Sequence, residues 1–243
     1  MIRTATFYVT LVLATIFFGA MAAFVSLVGG GRAWMDRANR GWARSMLSAA
    51  GVRVTVHGLE HLHPSGVQII AANHQSYFDI WALIAGLPAS VRFIAKRELA
   101  NIPMLSVGMR SAGHVLIDRD RPRSAKKTLR EAGDRMRAEQ LTLVLFPEGT
   151  RSRDGRLGRF RRGSFALALE TRASLVPAAV EGGQHVYPPG AKRVRRGPIT
   201  VRLGPPIRLE GAEPPDRKTL MLKTRAAIEA MLAQGESGGS ASD

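Results

Sequence analysis

The sequence predicts an α/β protein: a single domain with a mixed, largely parallel sheet flanked by helices, preceded by an N-terminal membrane helix or helical hairpin. Three observations carry that expectation. The 243 residues, 45% of them hydrophobic, suffice for one sizeable core and leave little for a second. Short Val- and Ile-rich runs alternate with helical patterns from residue 51 onward, as packed layers of strands and helices require. An uncharged apolar stretch opens the chain.

That stretch, Thr4 to Val28, is 25 residues long, enough for a helix to cross a hydrocarbon core of about 30 Å. "AMA" at 20–22 resembles a signal-peptide cleavage site, but the apolar run is longer than a usual signal core, which favours retention. Arg32, Arg37, Arg40 and Arg44 follow the run and only Arg3 precedes it. The excess places the rest of the chain on the cytoplasmic side of an inner or cytoplasmic membrane, whether residues 4–28 span the bilayer or dip into one leaflet as half of a hairpin. In residues 33–50, Trp34, Ala38, Trp42 and Met46 recur every four residues among Asp36, Arg37, Arg40 and Arg44. Such a helix fits a lipid headgroup region or its own domain equally well. Residues 1–50 therefore form an attachment unit and 51–233 the domain, while 234–243, small and polar, form a disordered tail.

Within the domain, strands are expected at 51–57, 67–73, 91–95, 114–117, 142–146, 175–180 and 198–203, with helices at 76–86, 103–111, 122–139, 163–171 and 216–232. Polar clusters follow three of the strands: NHQSYFD after 67–73, IDR after 114–117 and PEGTRS after 142–146. Ligands in open α/β sheets gather at the carboxyl ends of strands, so the clusters are expected to converge on one crevice.

The absence of cysteine excludes disulfides, thiolate nucleophiles and Cys-ligated metal sites. His57, His61 and His63 fit no common zinc spacing, and His114 opens a strand, so no metal is expected. The net charge of +16 is concentrated at 151–162 and 192–196, runs that attract phosphates or anionic membrane lipid. With only three Trp and three Tyr, the chain shows no aromatic-basic pattern for stacking bases, and no nucleic acid is expected.

In NHQSYFD, Ser76 and Asp79 fit a capping box, which would leave His74 an ordinary loop residue. The other reading pairs His74 with Asp79. Residues five apart on one helix point about 140° away from each other, so the two meet only if His74 lies in the loop and Asp79 in the first helical turn. A carboxylate on one ring nitrogen would then fix the tautomer and make the other a better proton acceptor. In LVLFPEGTRS, the strand breaks at Pro147, Gly149 permits a tight turn, and Arg151 offers a guanidinium to phosphate. No Walker loop or Gly-x-Ser-x-Gly elbow is present.

NHQSYFD followed some seventy residues later by FPEGTRS resembles the first and third motifs of the glycerolipid acyltransferase family, and GHVLIDR at 113–119 resembles the second. FRRGSFALA at 160–168 and LVPAAVEGG at 175–183 resemble further family segments, with Arg161 where lysine is commoner. The resemblance implies acyl transfer from acyl-CoA or acyl carrier protein to the sn-2 hydroxyl of lysophosphatidic acid, giving phosphatidic acid, or the same chemistry on glycerol 3-phosphate or lyso-ornithine lipid. It makes His74 the general base and Asp79 its orienting partner. It places Arg119, Glu148, Gly149, Thr150 and Arg151, with Lys96, around the acceptor's phosphate, and Pro177 at a pocket wall. It implies no metal or redox cofactor. A membrane-anchored module that only binds anionic lipid or nucleic acid is the alternative from a different class, with His74 and Asp79 reduced to a helix cap.

Overall fold

A computed structural model describes residues 1–63, 67–118, 122–209 and 215–239. Seven strands form one sheet: β1 (Val52–His57), β2 (Gln68–Ala72), β3 (Val91–Lys96), β4 (Val115–Ile117), β5 (Thr142–Leu145), β6 (Leu175–Glu181) and β7 (Gly197–Leu203), in the order β1-β7-β6-β2-β5-β3-β4. β6, β2, β5, β3 and β4 run parallel, and β7 pairs antiparallel with β6 while carrying β1 parallel to itself. β2, the central strand, is QIIAA and buried at every position, as a parallel strand covered on both faces must be. β1 at the edge alternates in exposure instead.

Helices α1 (Ile2–Leu27), α2 (Arg32–Ala50) and α3 (Phe78–Gly86) serve one face, where Met46, Leu83, Phe78, Ile70 and Val201 share a core. Helices α5 (Pro122–Ala138), α6 (Ala166–Thr171) and α8 (Arg217–Gly239) serve the other, with Ile69, Leu143, Leu167, Met136 and Ile228. The short α4 (Pro103–Ser111) lies against α1, and α7 (Gly183–Val186) follows β6.

Residues 1–50 fold as a helical hairpin laid on the domain. α1 and α2 turn at Gly29, which takes φ +69°, and pack together. Gly19 lets α4 approach closely, since a Cβ there would stand 2.9 Å from the Met104 carbonyl oxygen. Of the two settings open to residues 33–50, packing on the domain is the one observed. Met35, Ala38, Ala43, Met46, Leu47 and Ala50 are buried, and Trp42 Nε1 donates to Thr15 Oγ1 at 3.1 Å. Polar contacts fix the hairpin: Arg92 donates to Asp36 at 2.7 Å, Ser90 bonds the other Asp36 oxygen, and Arg40 donates to the carbonyls of Pro88 and Ala89, both at 3.0 Å. α1 is long and apolar enough to cross a membrane, with mean hydropathy 2.2. Phe7 and Ala22 face the protein, whereas Val9, Val12, Leu13, Ile16, Phe17, Phe24 and Leu27 are exposed as an apolar stripe.

The expected disordered tail at 234–243 is corrected in part. α8 continues to Gly239, and Gly235 brings it against the Glu181 carboxylate, where a side chain would collide. Composition missed this because the contact joins segments 54 residues apart. Residues 240–243 lie outside the described residues.

Candidate active site

The carboxyl ends of β2 and β5, adjacent and parallel, put the loop of 73–77 beside that of 146–161. His74 sits two residues beyond β2, and α3 begins at Phe78, so Asp79 falls in the first helical turn. The separation of loop and helix that the pair requires is therefore present. His74 Nδ1 and Asp79 Oδ2 lie 2.9 Å apart. The same oxygen accepts the backbone N–H groups of Gln75 at 2.6 Å and Ser76 at 2.8 Å. The N-cap position is Tyr77, which makes no side-chain cap bond, so the expected cap at Ser76 is corrected: the Asp79 carboxylate instead binds N–H groups of the loop that carries His74, and those bonds immobilise the group that holds the imidazole. Asp79 is fully buried, and Gly183 of α7 lies so near its Oδ1 that a Cβ there would clash. The imidazole stacks on Phe146, with ring centroids 3.9 Å apart and planes at 11°. Nδ1 is committed to Asp79, and among the described residues Nε2 has no hydrogen-bond partner, so it is the nitrogen left to receive a proton.

The arginine-bearing loop is tied to this pair through backbone. The Ser152 N–H donates to the His74 carbonyl at 2.7 Å. Glu148, assigned by resemblance to the acceptor's phosphate, also has a structural task. It is buried, with Oε1 accepting the His74 N–H and Oε2 the Gly158 N–H, both at 2.8 Å. It lines the arginine groove, and both of its oxygens are engaged by backbone N–H groups, so it also joins the two loops. Burial pushes its carboxyl above the usual carboxylate range, and the two N–H bonds act against that shift.

Gly149 adopts φ +74° in the turn after β5, a conformation suited to glycine, and its N–H closes the turn on the Phe146 carbonyl at 3.0 Å. Beyond it, Thr150, Arg151, Arg153, Arg156, Arg159 and Arg161 line an open groove of about 840 Å³. The Arg151 guanidinium lies over the Tyr77 ring, 3.8 Å from its centroid. Gln75 Nε2 donates to the Gly155 carbonyl and Gln184 Nε2 to that of Arg153, both at 2.8 Å. The loop is therefore held by its carbonyls. Sequence reasoning did not single out Gln75, Gln184, Tyr77, Phe146 or Gly158, because each acts through a neighbour distant in the chain or through stacking.

The remaining expected residues are less concentrated. Lys96 ends β3 at the same edge of the sheet and pairs with Glu98 at 2.5 Å. Arg119 lies outside the described residues. Pro177 is buried in β6, its ring sharing the space around Gly204 with Met231 of α8. Its strand neighbours Leu175 and Ala179 belong to the core opposite Phe78, so Pro177 faces away from α3 and forms no wall beside the pair. Strand alternation decides this, and a motif match does not register it.

The acyltransferase family model matches residues 53–181. The 1-acyl-sn-glycerol-3-phosphate acyltransferase alpha of Homo sapiens is 33% identical over 178 residues, covering 73% of this chain and 63% of that protein. That of Ovis aries is likewise 33% identical over 178 residues, with 73% of this chain and 62% of its own length covered. The chain thus spans somewhat less than two thirds of these curated relatives. The 1-acyl-sn-glycerol-3-phosphate acyltransferase of Pseudomonas aeruginosa is 30% identical over 237 residues, 96% of this chain and 91% of that one. Among solved structures, the 1-acyl-sn-glycerophosphate (LPA) acyltransferase PlsC from Thermotoga maritima matches with a TM-score of 0.83 at 25% identity, covering 96% of this chain and 95% of its own.

Proposed function

The chain belongs to the glycerolipid acyltransferase family, and from that premise we propose that it moves a fatty acyl group from a thioester, acyl-CoA or acyl carrier protein, to the sn-2 hydroxyl of lysophosphatidic acid. The product is phosphatidic acid. The observation that carries the reading is the 2.9 Å contact of His74 with a buried Asp79, beside a groove lined by arginines.

The acceptor's phosphate sits on Arg151, whose guanidinium stacking on Tyr77 holds within reach of the loop. This delivers the hydroxyl to Nε2 of His74. The imidazole takes the hydroxyl proton as the oxygen attacks the thioester carbonyl; the tetrahedral intermediate collapses, the C–S bond breaks, and the leaving thiolate takes the proton back. Asp79 stays ionised throughout and balances the imidazolium, as the carboxylate does in a Ser-His-Asp triad. The nucleophile comes from the substrate, so no acyl-enzyme forms. A thioester is already activated, and the scheme uses no metal or redox cofactor. The apolar stripe of α1 rests in the cytoplasmic leaflet of the membrane, with basic surface toward anionic headgroups and the domain in the cytoplasm.

The test is a panel: purified protein, radiolabelled acyl-CoA or acyl carrier protein, and lysophosphatidic acid, glycerol 3-phosphate or lyso-ornithine lipid as acceptor. Labelled phosphatidic acid is the expected product. Turnover with glycerol 3-phosphate or lyso-ornithine lipid alone would move the reading to that acceptor, and no turnover with any would leave a lipid-binding module.

A further inference from the structure

We propose that Arg225, on α8 and beyond the segment matched by the family model, is a positioning residue for this reaction: it clamps the arginine-bearing loop from behind. The inference rests on the acyl-transfer reading above.

The clamp is built from backbone contacts. Arg225 Nη1 donates to the Gly158 carbonyl at 2.6 Å and Nη2 to the Leu157 carbonyl at 3.2 Å. The guanidinium is oriented by Glu229, one helical turn on, at 2.8 Å, and lies 5.4 Å from the centroid of Phe160. Charge-assisted bonds to two successive carbonyls suit the planar fork of arginine. Gly158 is the point where this clamp meets the site. Its carbonyl is held by Arg225, while its N–H is held by Glu148, whose second oxygen holds the N–H of His74. One peptide-to-carboxylate path therefore runs from α8 to the imidazole-bearing loop. Gly158 also has no room for change, because a Cβ there would stand 2.6 Å from Glu148 Oε2.

Two features separate this from ordinary surface pairing. Besides its pair with Glu229, Arg225 donates to loop carbonyls, and those carbonyls belong to the segment that carries Arg153, Arg156, Arg159 and Arg161 into the groove. With Gln75 on Gly155 and Gln184 on Arg153, it pins the 153–158 stretch of the loop by its oxygens. Loosening one anchor leaves every groove arginine present while blurring where they stand. The acceptor's phosphate should feel this first, and the proton transfer at His74 less.

The test compares Arg225→Met, Arg225→Lys and a packing control, Leu220→Val, which thins a fully buried side chain of the same helix. Acyl transfer is followed in the full-length protein while lysophosphatidic acid is varied at saturating acyl-CoA, alongside thermal unfolding. Both Arg225 variants should raise KM for lysophosphatidic acid about tenfold, the loss expected for charge-assisted bonds, with kcat falling about threefold or less. Leu220→Val should lower Tm and leave KM unchanged. An unchanged KM in Arg225→Met would overturn the clamp, as would a wild-type KM in Arg225→Lys, which would mean that charge alone suffices. Absence of turnover in the wild-type protein would sink the acyl-transfer reading itself, an outcome distinct from both.

Discussion

The imidazole–carboxylate pair and the arginine-bearing loop lie side by side, yet they are held in opposite ways. At the pair the functional side chains themselves are fixed: Asp79 is fully buried with three donors on one oxygen, and His74 is pinned by Asp79 on one ring nitrogen and by Phe146 on its face. In the loop the backbone is fixed, by Gln75, Gln184, Arg225 and Glu148, and Arg153, Arg156 and Arg159 remain exposed. Proton transfer tolerates little displacement, so the groups that perform it are locked. Capture of a phosphate on a lipid of variable shape is served by long cationic side chains on a rigid base.

The contrast is broken most severely at the pair. His74→Ala should lower kcat/KM for lysophosphatidic acid by about 10³-fold or more while leaving acceptor binding within about twofold, measured by steady-state kinetics and by binding without donor. Asp79→Asn should cost a comparable factor, up to about 10⁴-fold, because an amide neither fixes the tautomer nor balances the imidazolium. A joint effect is expected at Glu148, where the two regions meet. Glu148→Gln keeps one acceptor oxygen but turns an amide N–H₂ toward the second backbone donor, so kcat should fall and KM rise, each about tenfold. Equal retention of both constants would contradict the tether.

Tyr77 sharpens the comparison because it belongs to the rigid loop yet serves the adaptable one. Tyr77→Leu should raise KM about threefold with kcat unchanged, whereas Tyr77→Phe, which keeps the ring under Arg151, should leave both unchanged. The smallest effect contrasts two histidines. His114 is half-buried, with Arg92 nearby, and accepts the Phe93 N–H at 3.0 Å; its partial removal from water, then Arg92, lowers its pKa to about 3. The unfolded chain takes up this proton first as pH falls, so the stability it contributes is present above about pH 6.5 and is lost progressively down to about pH 3. His114→Asn, which retains an acceptor for Phe93, should flatten the pH dependence of urea unfolding across that window without changing turnover at neutral pH.

Much of this was legible in the sequence where the signal is local. All seven strands fall within a residue or two of the apolar runs that announced them, and the loop-to-helix boundary lies between His74 and Asp79 as expected, although the N-cap is Tyr77 and not Ser76. The sheet order was not written locally, but the rule that ligands gather at strand carboxyl ends predicted that three polar clusters would converge; NHQSYFD and PEGTRS do meet, whereas Asp118 of the third pairs with Arg97 and Arg119 lies outside the described residues. Illegible were the features decided by burial. An apolar helix face at 33–50 looks the same whether lipid or protein covers it, and only Met46 and Ala43 packed on the sheet resolve it. Glu148 shares a motif with Arg151, and its burial between two N–H donors, which makes it a tether between the loops, has no trace in the motif. The loop anchors come from residues 80, 31 and 67 positions away, beyond any periodicity.

The central claim is tested most directly by a crystal structure with lysophosphatidic acid bound and no acyl donor present. The account predicts the sn-2 hydroxyl about 3 Å from His74 Nε2 while the phosphate lies against Arg151 in the groove. A bound acceptor with its hydroxyl out of reach of that nitrogen, or with its phosphate elsewhere than the arginine-bearing loop, would contradict it.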